Sequence, residues 1–137
     1  LSDYDVASTL ATVISQRLVR KLCPKCRKER PFTEEEKQII EKIGKKYGVE
    51  YNLNGMTYDA IGCKHCNNTG FFDRIGVFEI LNVTEEIQTE IMRGKSSMEI
   101  KQEALKQGYR PLVVDGIKKV VQGYTTLEEL NKKLLIY

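Results

Sequence analysis

All four cysteines of this 137-residue chain fall into two Cys-x-x-Cys pairs, Cys23-Pro24-Lys25-Cys26 and Cys63-Lys64-His65-Cys66. No other feature limits the possible fold as strongly. Two residues between cysteines let both thiolates grip one ion from a tight turn, and two such turns complete a tetrahedron. The expectation is one structural Zn²⁺ held by Cys23, Cys26, Cys63 and Cys66. A redox dithiol would need a single motif in a βαβ context, whereas this chain has two motifs and no such context. Four sulfurs close the coordination sphere, so the expected metal holds structure and is no Lewis acid. The loop of residues 27–62 is longer than the ~15–20 residues of an ordinary zinc ribbon. It is therefore expected to carry its own helix, as an inserted finger.

Basic residues crowd both turns: Lys21, Lys25, Arg27, Lys28 and Lys64. The plain reading is that they offset the double negative charge of a zinc–tetrathiolate centre. His65, the chain's one histidine, lies inside the second pair, and we expect it to face solvent and leave ligation to the cysteines. A zinc ribbon that binds nucleic acid would aim the same cations at phosphates. Stacking aromatics are missing beside the first pair, although Phe71 and Phe72 follow the second. The formal charge of +3 is too small for an electrostatic footprint, so direct nucleic-acid binding is not expected.

With 41% hydrophobic and 30% charged residues, the chain can build one domain or a small pair. Its apolar runs are far shorter than the ~20 residues that span a bilayer, and no leader pattern is present. The expected location is the cytoplasm. The chain begins at Leu1, within an amphipathic pattern and without Met, and this reads as a piece of a longer polypeptide.

Apolar Val6, Leu10, Ile14, Leu18 and Leu22 recur every four residues, which predicts a helix over about 4–21 that Pro24 ends. The capping box Thr33-x-x-Glu36 opens a second helix, closed by Gly48, with Ile39, Ile40, Ile43 and Tyr47 inward. Residues 49–62, with Asn54-Gly55, read as a short irregular β excursion, and Phe71–Leu81 as one strand or a bent pair, with Gly76 marking a bulge. Four short helices follow: from Thr84 to about Arg93, from Ser96-x-x-Glu99 to Gly108, from Pro111 to Gly123, and from Thr126-x-x-Glu129 to about Leu134. The expected class is α+β, mostly α. A zinc-finger subdomain with a short β element is inserted after a long helix, and a compact all-α subdomain follows.

The run Val13-Ile14-Ser15-Gln16-Arg17-Leu18-Val19-Arg20-Lys21-Leu22-Cys23-Pro24-x-Cys26 closely resembles the ATPases of type IV pilus assembly and type II secretion. Three further runs look like successive signatures of that family: Gly62-Cys63-x-x-Cys66-Asn67-x-Thr69-Gly70, then Arg74-x-Gly76-Val77-Phe78-Glu79-Ile80-Leu81, then Asp115-Gly116-Ile117-x-Lys119-Val120-x-x-Gly123-x-Thr125-Thr126-Leu127-Glu128-Glu129-Leu130. The resemblance implies the C-terminal end of a hexameric motor. Residues 1–22 and 71–83 would be a remnant of its ATPase core, 23–70 the tetracysteine subdomain and 84–137 a small helical subdomain at the edge of the ring.

That end lies beyond the phosphate-binding loop, the Asp box, the Walker B carboxylate and the His box. No Gly-x-x-x-x-Gly-Lys-Ser/Thr occurs in this chain, so it lacks the backbone cradle and lysine that ATP hydrolysis requires. ATP and Mg²⁺ would belong to the parent enzyme. Arg74 matches an arginine that in these motors approaches the nucleotide, a role that suits a guanidinium. The alternative is pairing with Asp73 or Glu79. The family's usual Arg-Gly-Arg is Phe72-Asp73-Arg74 here, so any role of the first basic residue does not carry over. Arg17 and Arg20, three apart on the expected first helix, would share a face turned to a subunit boundary or the core, or equally to solvent. Related retraction motors generally lack the four cysteines, which favours assembly or secretion. The implied partners are the chain's own ATPase core, neighbouring subunits of a hexamer and an inner-membrane platform protein, with the machine peripheral to that membrane. The rival expectation is a free-standing zinc-ribbon module that binds nucleic acid or a protein partner.

Overall fold

The computed structural model describes residues 12–137. Among them the chain is a mixed α/β protein with five helices and two small sheets. The order is β1 (Thr12–Leu22), β2 (Lys28–Pro31), α1 (Glu34–Tyr47), β3 (Met56–Asp59), a 3₁₀ turn (Lys64–Cys66), β4 (Phe71–Asn82), α2 (Glu85–Met92), α3 (Ser97–Lys106), α4 (Leu112–Val121) and α5 (Leu127–Leu134). No helix of the described residues is long and apolar enough to cross a membrane.

The helix expected over 4–21 is corrected: residues 12–22 form a strand paired with β4, and residues 4–11 lie outside the described residues. The four-residue recurrence that suggested a helix also satisfies a period of two, because Ile14, Leu18 and Leu22 fall on one side of a strand. β-Branched Thr12, Val13, Ile14 and Val19 favour the extended form. The two strands run in opposite senses. The Cys23 N–H donates to the Gly70 carbonyl at 3.0 Å at one end, and Thr12 Oγ1 meets Asn82 Oδ1 at 3.4 Å at the other. Strand β2 was not read from the sequence. It pairs antiparallel with β3, Lys28 opposite Asp59 and Pro31 opposite Met56, so the inserted segment is a helix braced by a two-stranded ribbon.

Caps form largely where the sequence places them. In the first box the Glu36 N–H donates to Thr33 Oγ1 at 3.1 Å and the Thr33 N–H to Glu36 Oε1 at 2.9 Å, and α1 ends on Gly48 at φ 68°. Ser96 and Glu99 make the same exchange ahead of α3. At Thr126 only half of the box exists. The Glu129 N–H donates to Thr126 Oγ1 at 3.0 Å, but the Glu129 carboxylate turns to β1.

The chain divides into two compact units. One holds Gln16–Phe78 and Leu112–Tyr137. Its core gathers Val19, Phe32, Ile40, Val77, Ile117, Val120, Leu127 and Leu130. Ile39 and Ile43 pack against this core as expected, while Tyr47 lies outside it, with Lys46 Nζ 5.4 Å from its ring centroid. The other holds Glu79–Pro111 with the strand residues up to Ser15. Its core is Val83, Ile87 and Ala104, flanked by Leu81, Ile91, Ile100 and Tyr109. The four C-terminal helices thus do not share one core: α4 and α5 pack with residues 16–78, and α2 and α3 pack together.

Candidate metal centre

Each cysteine pair sits at the tip of a turn entered from a strand. Strand β1 delivers Cys23, and the Arg27 N–H closes back on the Cys23 carbonyl at 3.1 Å. The 3₁₀ turn delivers Cys63 and Cys66, with the Asn68 N–H donating to the Cys63 carbonyl at 2.8 Å and the Thr69 N–H to the Cys66 carbonyl at 3.2 Å. Asn67 and Asn68 take left-handed backbone angles, φ 55° and 62°, which asparagine tolerates better than most residues. Gly70 follows at φ 83°, and a Cβ there would meet the Ala60 side chain at 2.6 Å. Only glycine fits this close approach, and it places the Gly70 N–H on Cys66 Sγ at 3.2 Å.

The four sulfurs all lie within 4.8 Å of one another. Three of the separations, Cys23–Cys63, Cys26–Cys66 and Cys63–Cys66, are 3.8 Å. A disulfide requires about 2.0 Å, and all four cysteines are free. A tetrahedron of thiolates around an ion at about 2.3 Å has edges of about 3.8 Å, so the arrangement fits a tetrahedral S₄ ion. Backbone N–H groups point at the sulfurs, Gly62 to Cys26 at 3.3 Å and Cys63 to Cys66 at 3.2 Å. Burial pushes the Cys26 thiol up to about 11. At Cys66 burial pushes the same way, but the N–H groups of Cys63 and Gly70 outweigh it and bring the thiol down to about 6. The donor set is soft and suits zinc or iron in preference to magnesium or calcium.

His65 is exposed and stacks on Phe72, centroids 4.2 Å apart. The basic residues divide into two groups. Lys25, Lys28 and Lys64 stay exposed. Half-buried Lys21 lies 5.7 Å from the Tyr124 ring centroid, and Arg27, itself exposed, lies over the Tyr58 ring at 4.1 Å while donating to the Gly123 carbonyl at 2.9 Å. Arg27 is thus a docking group as well as a nearby charge.

The expected pairing of Arg17 and Arg20 on one helix face is corrected, since three residues apart on a strand they point to opposite sides. Arg17 Nη2 donates to the Lys133 carbonyl at 2.9 Å, at the electronegative end of α5. Arg20 lies over the Phe71 ring at 4.1 Å. It grips Glu129 three times, by its N–H at 2.8 Å, Nε at 3.1 Å and Nη2 at 2.9 Å. Glu129 is 1% exposed. Burial would raise its carboxyl, and Arg20 overrides this and holds it below the usual range. Sequence reasoning missed this ion pair.

Arg74 lies on β4, exposed, and its side chain makes no hydrogen bond or ion pair among the described residues. Neither expected carboxylate holds it, and Glu79 instead accepts from the Tyr109 hydroxyl.

Residues 1–132 match the model of the type II/IV secretion system protein family. Over 128 residues, 93% of this chain, the chain is 36% identical to the type IV pilus assembly ATPase PilB of Thermus thermophilus. It is 35% identical over 124 residues, or 90% of its length, to the type IV pilus assembly ATPase TfpB of Acinetobacter baylyi. Against the type II secretion system protein E of Aeromonas hydrophila the identity is 36% over 131 residues, or 95%. The matches span 14%, 20% and 24% of those relatives' lengths, respectively. The sequence resemblance and the family model converge, and the chain belongs to the type II/IV secretion system protein family.

Proposed function

We propose that this chain is the zinc-binding C-terminal part of an ATPase that powers type IV pilus assembly or type II secretion. The observation that carries the reading is a cluster of four cysteine sulfurs, all within 4.8 Å of one another, inside a family match that spans nearly the whole chain. Cys23, Cys26, Cys63 and Cys66 would hold Zn²⁺, whose chemistry here is cohesion: with four thiolates bound, no position remains for water or substrate. The chain alone does not hydrolyse ATP, because the phosphate-binding loop, Mg²⁺ and the general machinery of phosphoryl transfer belong to the remainder of the enzyme.

Arg74 is the residue we assign to the nucleotide. An exposed guanidinium without a carboxylate partner is available for phosphate or base contact. The division into a core remnant (1–22, 71–83) and a zinc subdomain (23–70) belongs to the same proposal, with the helices of the expected end (84–137) shared between the two units. So do the cytoplasmic location, the hexameric ring and the inner-membrane platform protein as partner. The test is Arg74→Ala in the full-length enzyme. The expected result is lower ATP affinity or turnover with zinc content unchanged. Unchanged kinetics would remove the assignment and leave the metal site standing.

A further inference from the structure

The residues that flank the first cysteine pair do more than shape a metal turn. The Leu22 N–H donates to the Tyr124 carbonyl at 2.8 Å, and Thr125 Oγ1 donates to the Arg20 carbonyl at 2.8 Å. Just beyond Cys26, the Arg27 guanidinium is held between the Tyr58 ring and the Gly123 carbonyl. Gly123 is buried at φ 86°, and a Cβ on it would stand 2.8 Å from the Tyr58 ring. Residues 20–27 therefore mesh along their length with 123–129, the turn that joins α4 to α5 and the first turn of α5. The metal-bearing strand end and the connector of two helices a hundred residues later form one polar seam. Thr125 and Glu129, two of its members, are almost fully buried.

We infer that this seam is a metal-set latch. The ion fixes the course of residues 23–26, that course sets Arg27 on Gly123, and the α4–α5 turn closes only when Arg27 is in place. Arg27 is a positioning residue in this scheme: its backbone N–H closes the turn on the Cys23 carbonyl at 3.1 Å, and its guanidinium reaches away from the four sulfurs to Tyr58 and Gly123. Occupancy of the tetracysteine site would thus be felt at α5, outside the finger that the cysteines enclose. The inference rests on the zinc reading above.

The experiment is amide hydrogen exchange on the zinc-loaded chain, on the same chain after chelation, and on Arg27→Ala. Zinc content is measured on each sample. Chelation is expected to speed exchange together at Leu22, Glu129 and Leu130, whose N–H groups are bonded within this unit. Gln88 and Ile100 in α2 and α3 should be unchanged. Arg27→Ala should retain one zinc and still show exchange at Glu129 and Leu130 faster by at least about tenfold, the scale of one hydrogen bond from a charged donor. Acceleration confined to residues 23–27 and 62–70, with 123–130 as protected as before, would overturn the latch. A zinc-loaded Arg27→Ala chain with native protection at 123–130 would do the same. Absence of zinc from the purified chain would instead sink the reading on which the latch is built.

Discussion

The two units of this chain solve the problem of cohesion differently. The unit of Gln16–Phe78 and Leu112–Tyr137 has a core cluster of eight buried apolar residues, a four-sulfur cluster and two multidentate arginines. The unit built around Glu79–Pro111 has three buried residues and relies on caps: Thr84 on α2, and Ser96 with Glu99 on α3. A short segment with a small core gains little from apolar burial, because the fraction of surface buried falls as a folded unit gets smaller. The first unit adds to its core bonds that depend on pH and, in the function proposed above, on metal. The second depends on local helix ends. Each should therefore fail under different treatments.

The largest contrast is expected from metal removal. Structural zinc contributes about 10–16 kcal/mol to small metal-folded peptides, comparable to the whole stability of an ordinary domain, about 5–15 kcal/mol. Chelation should abolish cooperative unfolding of the first unit in a calorimetric scan and leave the α2–α3 amides with their original exchange rates. An unchanged scan would remove the metal from the comparison.

Gly70→Ala should follow, with a loss of about 3 kcal/mol in denaturant titration, because the new methyl meets Ala60 side chain and backbone in a left-handed conformation. Its effect should grow when zinc is limiting, since the displaced N–H serves Cys66.

Glu129→Ala should cost about 2 kcal/mol. This is less than the 3–5 kcal/mol of a fully buried broken pair, because Arg20 still reaches solvent. The same carboxylate gives the first unit a pH dependence. Glu129 and Glu36 are both held below the ordinary glutamate value of 4.5, Glu36 by the Arg30 fork at 2.7 and 3.0 Å. The unfolded chain thus binds protons first, so the stabilisation is complete above about pH 4.5 and is lost as pH falls through the folded values. Acid titration of Glu129→Gln should show a shallower loss. The smallest effect is Ser96→Ala, about 1 kcal/mol, confined to α3 and insensitive to chelator.

Much of this was legible in the sequence where the cause is local. Two Cys-x-x-Cys pairs carry their geometry in their spacing, and caps such as Thr33/Glu36 or Gly48 need only residues three or four apart. The first element was misread because Ile14, Leu18 and Leu22 obey both periods. The decision between helix and strand is made by a partner, β4, some sixty residues away. Glu129 was read as a capping residue for the same reason. Its competitor for that role, Arg20, lies 109 residues earlier and leaves no local trace. Of the candidate site, the meeting of the four cysteines was legible, whereas the contacts of Arg27 depend on Tyr58 and Gly123, which spacing cannot connect.

The central claim is a closed zinc–tetrathiolate centre, and native mass spectrometry combined with thiol titration tests it most directly. The account predicts one zinc per chain and four thiols that resist modification until a chelator is added. A metal-free chain with four freely reactive thiols, or with two disulfides, would contradict it.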